Sequence, residues 1–416
     1  MKKILLITFF ILLTDAAKAE TTTIKFDHLR RLVSSQNGYV LAEEAYVKGA
    51  AAQKGHLKRS FLPEVKINGG FETFKTGHLD TLTQPTADAL AKINLFRGGK
   101  DKLEDKIIGQ KYVLAHNSFK KTYLENLLRA RMLYADILFY EEQLTYVRGT
   151  LFINQNNLQR VQKQIDAGLA TETDRLEFSL QANRLKQDKL LFVEDHEHAI
   201  EELKTILGLD PQTSLKLVTP NLINIDKLFL EKNQDFKDHP EVAQMHIASQ
   251  ISNLQKKQQE LWWVPNLDTY GLYELHPFRE RERTSVSDRD EYVFGVNLSL
   301  NIFDGLQSLT KSKALKYQSQ GLSQAKQQKS KELQTQFEKL QHELRTRKQL
   351  IGLLHQNIGQ SQKYAELSSD EYSRGVKTAS QLFTASQQLY DEKQKLSETK
   401  RDSIKIKSAL LVMTGN

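Results

Sequence analysis

The sequence contains no cysteine. Disulfides, thiol nucleophiles, cysteine-ligated metals and lipid attachment through an N-terminal cysteine are excluded together. Long hydrophobic runs are missing too. The main apolar stretch, Ile4 to Leu13, is about ten residues, well short of the roughly 20 that a membrane-spanning helix needs. Charge of one sign is not concentrated either, because 59 Lys and Arg are interleaved with 51 Asp and Glu. The formal net charge of +8 therefore builds no basic face, and nucleic acid is not an expected partner. Any membrane crossing by the mature chain falls to β-strands.

The short apolar run reads as part of a signal peptide, residues 1–19. Lys2 and Lys3 precede it, and Ala17, Lys18 and Ala19 form an A-x-A-like cleavage site. Cleavage there removes three lysines and one aspartate and lowers the net charge to about +6. The expected product is exported to a compartment in which its folding needs no disulfide.

Proline is scarce, and its placement is informative. None of the seven lies between Pro85 and Pro211, and none follows Pro277. Proline breaks helix interiors, so these two stretches are where long helices fit. In the first, Ile137, Leu144, Leu151, Leu158 and Ile165 recur every seventh residue, with Leu133, Tyr140, Val147 and Val161 at most of the partner positions. This is a heptad seam. A helix from about Lys100 to Asp166 would be on the order of 100 Å long at 1.5 Å per residue.

The chain also repeats itself. A shift of 207 aligns Asn94, Phe96 and Gly98 with Asn301, Phe303 and Gly305, Gly168 with Gly375, and Gly208 with Gly415. The heptad follows the same register, since Leu144, Leu151 and Leu158 fall on Ile351, Ile358 and Ala365. A shift of 202 aligns Pro63 with Pro265 and Gly69 with Gly271. So long a period points to duplication of a whole unit: short helix, strand, loop, strand, long helix, turn, helix. The expected domains are a first repeat at 20–208, a connector at 209–236 and a second repeat at 237–416.

The strands alternate in polarity. Phe294, Val296, Leu298 and Leu300 are interleaved with Gly295, Asn297, Ser299 and Asn301. Val65, Ile67 and Phe71 oppose Glu64, Lys66 and Asn68, while Leu267, Thr269 and Tyr273 oppose Asn266, Asp268 and Glu274. Ala87, Ala89, Ala91, Ile93 and Leu95 form a thinner apolar row, with Leu90 as the exception on the other side. One oily and one wet face suit a transmembrane barrel around water. Four strands cannot close such a barrel, so several copies must contribute. Trp262 and Trp263 precede a strand, where aromatics favour the headgroup zone, although soluble core remains the alternative for that pair.

With these features in place the chain resembles the TolC family of outer-membrane efflux and secretion channels. The resemblance rests on the paired strand hairpins and on Ile93-Asn94-Leu95-Phe96-Arg97-Gly98-Gly99 with its partner Leu300-Asn301-Ile302-Phe303-Asp304-Gly305. It rests also on two helix turns, Asp166 to Asp174 and Ser373 to Gln381. It implies an α+β membrane protein, mostly long α-helices forming a periplasmic α-barrel. Four β-strands per protomer would contribute to a trimeric transmembrane β-barrel in the outer membrane of a Gram-negative bacterium. The implied partners are a homotrimer, a periplasmic membrane-fusion adaptor, an inner-membrane transporter of RND, ABC or MFS type, and outer-membrane lipid.

The resemblance also assigns residues. Adaptor docking falls to the tips Gly168, Leu169, Ala170, Thr171 and Gly375, Val376, Lys377, Thr378. A periplasmic gate falls at Asp174, Glu177, Gln381 and Thr384, and this chain departs from relatives that carry acids in the second unit. Asp174 and Glu177 equally suit a helix N-terminus. The expected lipid-facing residues are Val65, Ile67, Phe71, Ile93, Tyr273, Phe294, Val296, Leu298 and Leu300.

No catalytic or cofactor site is expected. His196 and His198 are two apart and point in different directions on a helix, so Glu194 to His198 reads as a solvated face. Gly69-Gly70 and Gly98-Gly99 lack the Gly-Lys-Ser/Thr ending of a phosphate loop. The run Arg279 to Arg283 reads as a solvated loop, with acidic lipopolysaccharide groups as the weaker option. The expected function is a passive exit duct of a tripartite efflux pump or type I secretion system. A periplasmic adaptor or a structural coiled-coil envelope protein is the alternative.

Overall fold

The computed structural model describes residues 21–75, 82–219, 236–276 and 289–415. The expected signal peptide, Pro220, Pro277 and the run Arg279 to Arg283 lie outside the described residues. In chain order the elements are β1 (Thr21–Ile24), α1 (His28–Gln36), α2 (Gly38–Ala52), α3 (His56–Arg59), β2 (Glu64–Phe74) and β3 (Leu82–Phe96). Then come α4 (Lys100–Asp166), α5 (Glu172–Leu207), β4 (Ser214–Leu217), a 3-10 turn (Phe236–Asp238) and α6 (Pro240–Glu260). The last are β5 (Asn266–His276), β6 (Arg289–Ser299), α7 (Gln307–Ser373) and α8 (Ala379–Met413). The fold is mostly helical with some sheet. The proline-free stretches hold the two 67-residue helices α4 and α7. No helix among the described residues is long and apolar enough to cross a membrane.

The chain folds as two compact units assembled from separated stretches. The first takes its described residues from Met1–Leu41, Thr122–Gln234 and Thr335–Asn416. Here β1 and β4 pair in parallel, Thr21 opposite Ser214 and Ile24 opposite Leu217. Their four-residue sequences, Thr-Thr-Thr-Ile and Ser-Leu-Lys-Leu, are β-branched and alternating but short, and the pair is held from outside by Tyr134. Its fully buried hydroxyl donates to Ile24 O at 3.1 Å and accepts from Val218 N at 3.0 Å. A buried phenol so placed satisfies its own polar atom and the strand termini together.

The helical seam of this unit follows the expected heptad, with Ile137 and Leu144 of its main row buried, and towards the turn the partner row is buried more completely than the leucines. Val147, Asn154 and Val161 are buried on α4, and Leu354, Ser361 and Ser368 on α7, whereas Leu151, Leu158, Ile351 and Ile358 are half-buried. Serine at two of these positions lets helices approach closely. Asn154 fills the gap in the heptad and donates its amide to Gln181 Oε1 of α5, so the polar group at the seam has a partner.

The second unit takes its described residues from Ala42–Lys121 and Asp235–Gln334. It contains one antiparallel sheet of order β2-β3-β5-β6. Helix α6 packs here with both long helices. Gln244 bonds Ser118 at 3.2 Å, Gln258 bonds Glu104 at 3.0 Å, and Ser249 meets the Ser319 hydroxyl at 2.9 Å. Glu241 of α6 pairs with Lys329 at 2.6 Å and with Lys121 at 3.4 Å.

Candidate functional site

The register of the sheet decides what each face is. Residues opposite one another on antiparallel strands share a face. The row Val65, Ala91, Gly271, Phe294 crosses all four strands, as does Ile67, Ala89, Tyr273, Tyr292. A third row, Ile93, Thr269, Val296, crosses three. This apolar face is left uncovered: Ile67 is 82% exposed, Phe71 83% and Phe294 83%, with Val65, Val296, Leu298 and Leu300 also exposed, and on β2 and β6 polar residues of the other face, Glu64, Asn68 and Asn297, are exposed as well. Ile93 and Tyr273 lie on the same face and are half-buried.

The opposite face carries Glu64, Lys92 and Tyr270 in one row, Asn68, Asp88 and Glu274 in another, and Asn94, Asp268 and Asn297 in a third. Its groups bond to one another. Lys92 Nζ is 3.0 Å from Asp268 Oδ2, and the Asn68 amide donates to Asp88 at 2.8 Å. Leu90 is not an isolated exception on this face, because it continues through Leu272 to Val293 as one apolar row among polar ones. A sheet in water buries its apolar face, and this sheet turns its apolar face outward.

Both helix turns are built alike. After α4, Gly168 adopts φ 74°, its N–H bonds Ile165 O at 2.9 Å, and Leu169 N bonds Gln164 O at 2.8 Å. After α7, Gly375 adopts φ 77°, with Gly375 N on Tyr372 O at 3.0 Å and Val376 N on Glu371 O at 2.9 Å. These are Schellman closures, which need a left-handed residue that glycine supplies without a Cβ clash. Each following helix opens with a capping box, Thr171 with Asp174 and Thr378 with Gln381.

Of the four gate positions, Asp174 and Gln381 therefore cap helices: their side chains accept from Thr171 N at 2.9 Å and Thr378 N at 3.0 Å. Thr384 bonds Ser380 O of its own helix. Glu177 is half-buried, and its Oε2 is a buried oxygen with no hydrogen-bond partner. Among the tip residues Leu169 and Val376 are exposed, and Lys377 is tied to Glu371 at 3.0 Å and to Ser368 at 2.9 Å. Val161, Phe178, Tyr372, Ala379 and Leu382 pack behind both turns, with the Phe178 and Tyr372 rings edge to face at 6.3 Å.

The reciprocal caps have a measurable weight. Thr171→Ala is expected to destabilise the start of α5 by about 1 kcal/mol, the usual cost of losing such a cap. Amide exchange at residues 172–175 is the readout, and the matching segment after Thr378 serves as the internal control.

Farther along the same unit, Glu142 of α4 bridges to α8. Burial opposes its charge, but hydrogen bonds from Ser397 Oγ and Tyr146, together with Lys400 Nζ at 3.3 Å, hold its carboxyl below the ordinary value. Burial and the same carboxylate push the Tyr146 phenol up. A carboxyl depressed in the folded state gives stability that is complete above its unfolded pKa and is lost as pH falls through its folded pKa. The thermal midpoint is expected to fall as pH drops below the ordinary carboxylate value of 4.5, and Glu142→Gln is expected to shrink that fall.

The histidine pair stays apart, with His198 exposed and His196 half-buried 3.8 Å from Glu141. No cluster of three or more His, Cys, Asp or Glu that could hold a metal occurs among the described residues.

Comparison with known proteins agrees with this geometry. Alkaline protease secretion protein AprF of Pseudomonas aeruginosa is 19% identical over 296 residues, which is 70% of this chain and 61% of AprF. The chain thus spans under two thirds of that relative's length. The outer membrane protein VceC of Vibrio cholerae superposes with a TM-score of 0.77 at 13% identity, over 94% of this chain and 96% of VceC. The open-state MtrE outer membrane channel of Neisseria gonorrhoeae gives 0.76 at 14% identity, over 94% and 89%. The family described as Outer membrane efflux protein matches residues 29–209 and 234–416. With most of its length matched in this way, the chain belongs to the outer membrane efflux protein family.

Proposed function

We propose that this chain is one protomer of a trimeric outer-membrane exit duct that conducts cargo passively for a tripartite efflux pump or a type I secretion system. The observation that carries the reading is the inverted sheet, whose exposed apolar face runs across four antiparallel strands while charged and amide groups line the reverse. Such a sheet has two free edges, β2 and β6. Lipid tolerates no unpaired strand edge, so copies joining edge to edge would close a barrel around water.

The long helices continue the wall as a periplasmic α-barrel in this reading, and residues 20–208 and 237–416 are two repeats joined by 209–236. Two separated family matches and a 67-residue helix in each half support the duplication. The glycine turns then form the adaptor-docking tips. AprF is named for protease secretion, which supports the secretion arm of the reading, with an inner-membrane transporter of RND, ABC or MFS type as the partner.

Two tests address the reading. The mature protein is expected to fractionate with the outer membrane as a trimer, and recovery as a soluble monomer would overturn it. A single cysteine at Thr171 or Thr378, in a chain with none of its own, is expected to cross-link to a periplasmic adaptor, and no adduct from either position contradicts tip docking. Glu177 is the acid at the first tip that no cap consumes. Glu177→Gln is expected to reduce the cation preference of the closed entrance, read as a smaller reversal potential across a salt gradient.

A further inference from the structure

The segment between β6 and α7 presents apolar side chains that no described residue of its own chain covers. Leu300 continues the phase of Phe294, Val296 and Leu298, and Ile302, Phe303, Leu306 and Leu309 beyond it are all exposed. Leu306 carries a second signal. Its φ is 64°, and it is the one non-glycine residue with positive φ among the described residues. The residue 207 positions earlier, Gly99, has φ 81°. Glycine occupies this conformation freely, whereas a leucine crowds its own backbone there. A strained backbone that holds an exposed apolar side chain points to a partner outside the chain.

The surface changes character one turn farther on. Leu309, Lys313 and Lys316 are spaced four and three residues apart, which places them on one helix face, and all three are exposed. Between Gly305 and Tyr317, against the interleaving of charge elsewhere in the chain, Lys311, Lys313 and Lys316 occur with no Asp or Glu. The counterpart of Leu309 after β3 is Lys102. An apolar band followed by a cationic one on a single face is the order of acyl chains and phosphates in a bilayer leaflet.

We infer that membrane contact does not end with the strands: the β6–α7 junction is embedded in the periplasmic leaflet of the outer membrane. Ile302, Phe303, Leu306 and Leu309 meet acyl chains there, and Lys313 and Lys316 meet lipid phosphates. Phase continuity with the apolar sheet face favours lipid over a second copy of the chain, and the exposed Lys313 and Lys316 one turn beyond it favour phosphate. The inference rests on the duct reading, and its test separates the two.

Single-cysteine variants Val296→Cys, Leu306→Cys, Leu309→Cys and Lys316→Cys of the full mature trimer would be nitroxide-labelled. They would be reconstituted in phosphatidylethanolamine and phosphatidylglycerol vesicles. Collision rates are then measured with oxygen, which concentrates in acyl chains, and with a water-soluble nickel chelate. The expected result is oxygen excess at 296, 306 and 309, with a reversal towards nickel at 316. Nickel excess at 306 and 309 beside oxygen excess at 296 overturns the inference alone, since the junction is then in water. Exclusion of both reagents at 306 and 309 also overturns it, because a second copy then covers the patch. Nickel excess at 296 itself overturns the duct reading with it.

Discussion

Val296→Arg is expected to block stable insertion of the protein into bilayers, whereas Asn297→Arg, one residue away, leaves it nearly intact. Val296 lies on the exposed apolar face opposite Thr269, and Asn297 lies on the polar face opposite Asp268. Arginine on the lipid face of a transmembrane barrel costs about 2–4 kcal/mol at the bilayer midplane and about 0–1 kcal/mol near its edges. In the proposed trimer three copies carry the substitution, so the effect multiplies on assembly. Folding titrations into phospholipid vesicles, with the heat-sensitive mobility of the folded trimer as readout, would measure it. Equal tolerance at the two positions would show that neither face meets lipid.

The second large effect is expected from Phe178→Ala. Phe178 is buried among Val161, Tyr372, Ala379 and Leu382, where one cluster backs both glycine turns. Removing a buried phenyl ring costs about 3–5 kcal/mol through lost transfer energy and the cavity left behind. The damage falls on the tips, because each turn is otherwise held by local caps alone. Faster amide exchange is expected at residues 168–172 and 375–379 together, with little change at the sheet. A higher resting conductance should accompany it if these turns form the closed end. Acceleration at the first turn alone would show that the turns are independent of one another.

Much of the architecture was legible because it rests on periodicities. Proline-free stretches gave the two long helices, and strict alternation in Phe294 to Leu300 identified the face that the register later placed outward. A structural use for Asp174 at a helix N-terminus was legible, and the structure adds the reciprocal capping boxes of Thr171 with Asp174 and Thr378 with Gln381.

Other features were not legible, for physical reasons. The heptad named both rows of the α4 seam, and Leu144, Val147 and Val161 are buried as it implies. What it left blank is Asn154, a polar residue buried in the partner row while Leu151 and Leu158 stay half-buried. Asn154 and Ser361 look like defects until the buried amide pair and the close approach are seen. The parallel pair β1 and β4 joins four-residue segments almost 200 positions apart, and nothing local reveals that they pair. The left-handed Leu306 occupies a conformation that favours glycine, and no local pattern marks it.

The central claim is that the polar face of the sheet lines water and the apolar face meets lipid. Its most direct measurement is single-channel recording in planar bilayers from the cysteine variants Asn297→Cys and Val296→Cys, before and after a charged thiol reagent is added in the aqueous phase. The expected result is discrete conductance steps from both proteins, with a reagent-induced change in step size for Asn297→Cys and none for Val296→Cys. No conductance from either protein, or a change confined to Val296→Cys, would contradict the duct.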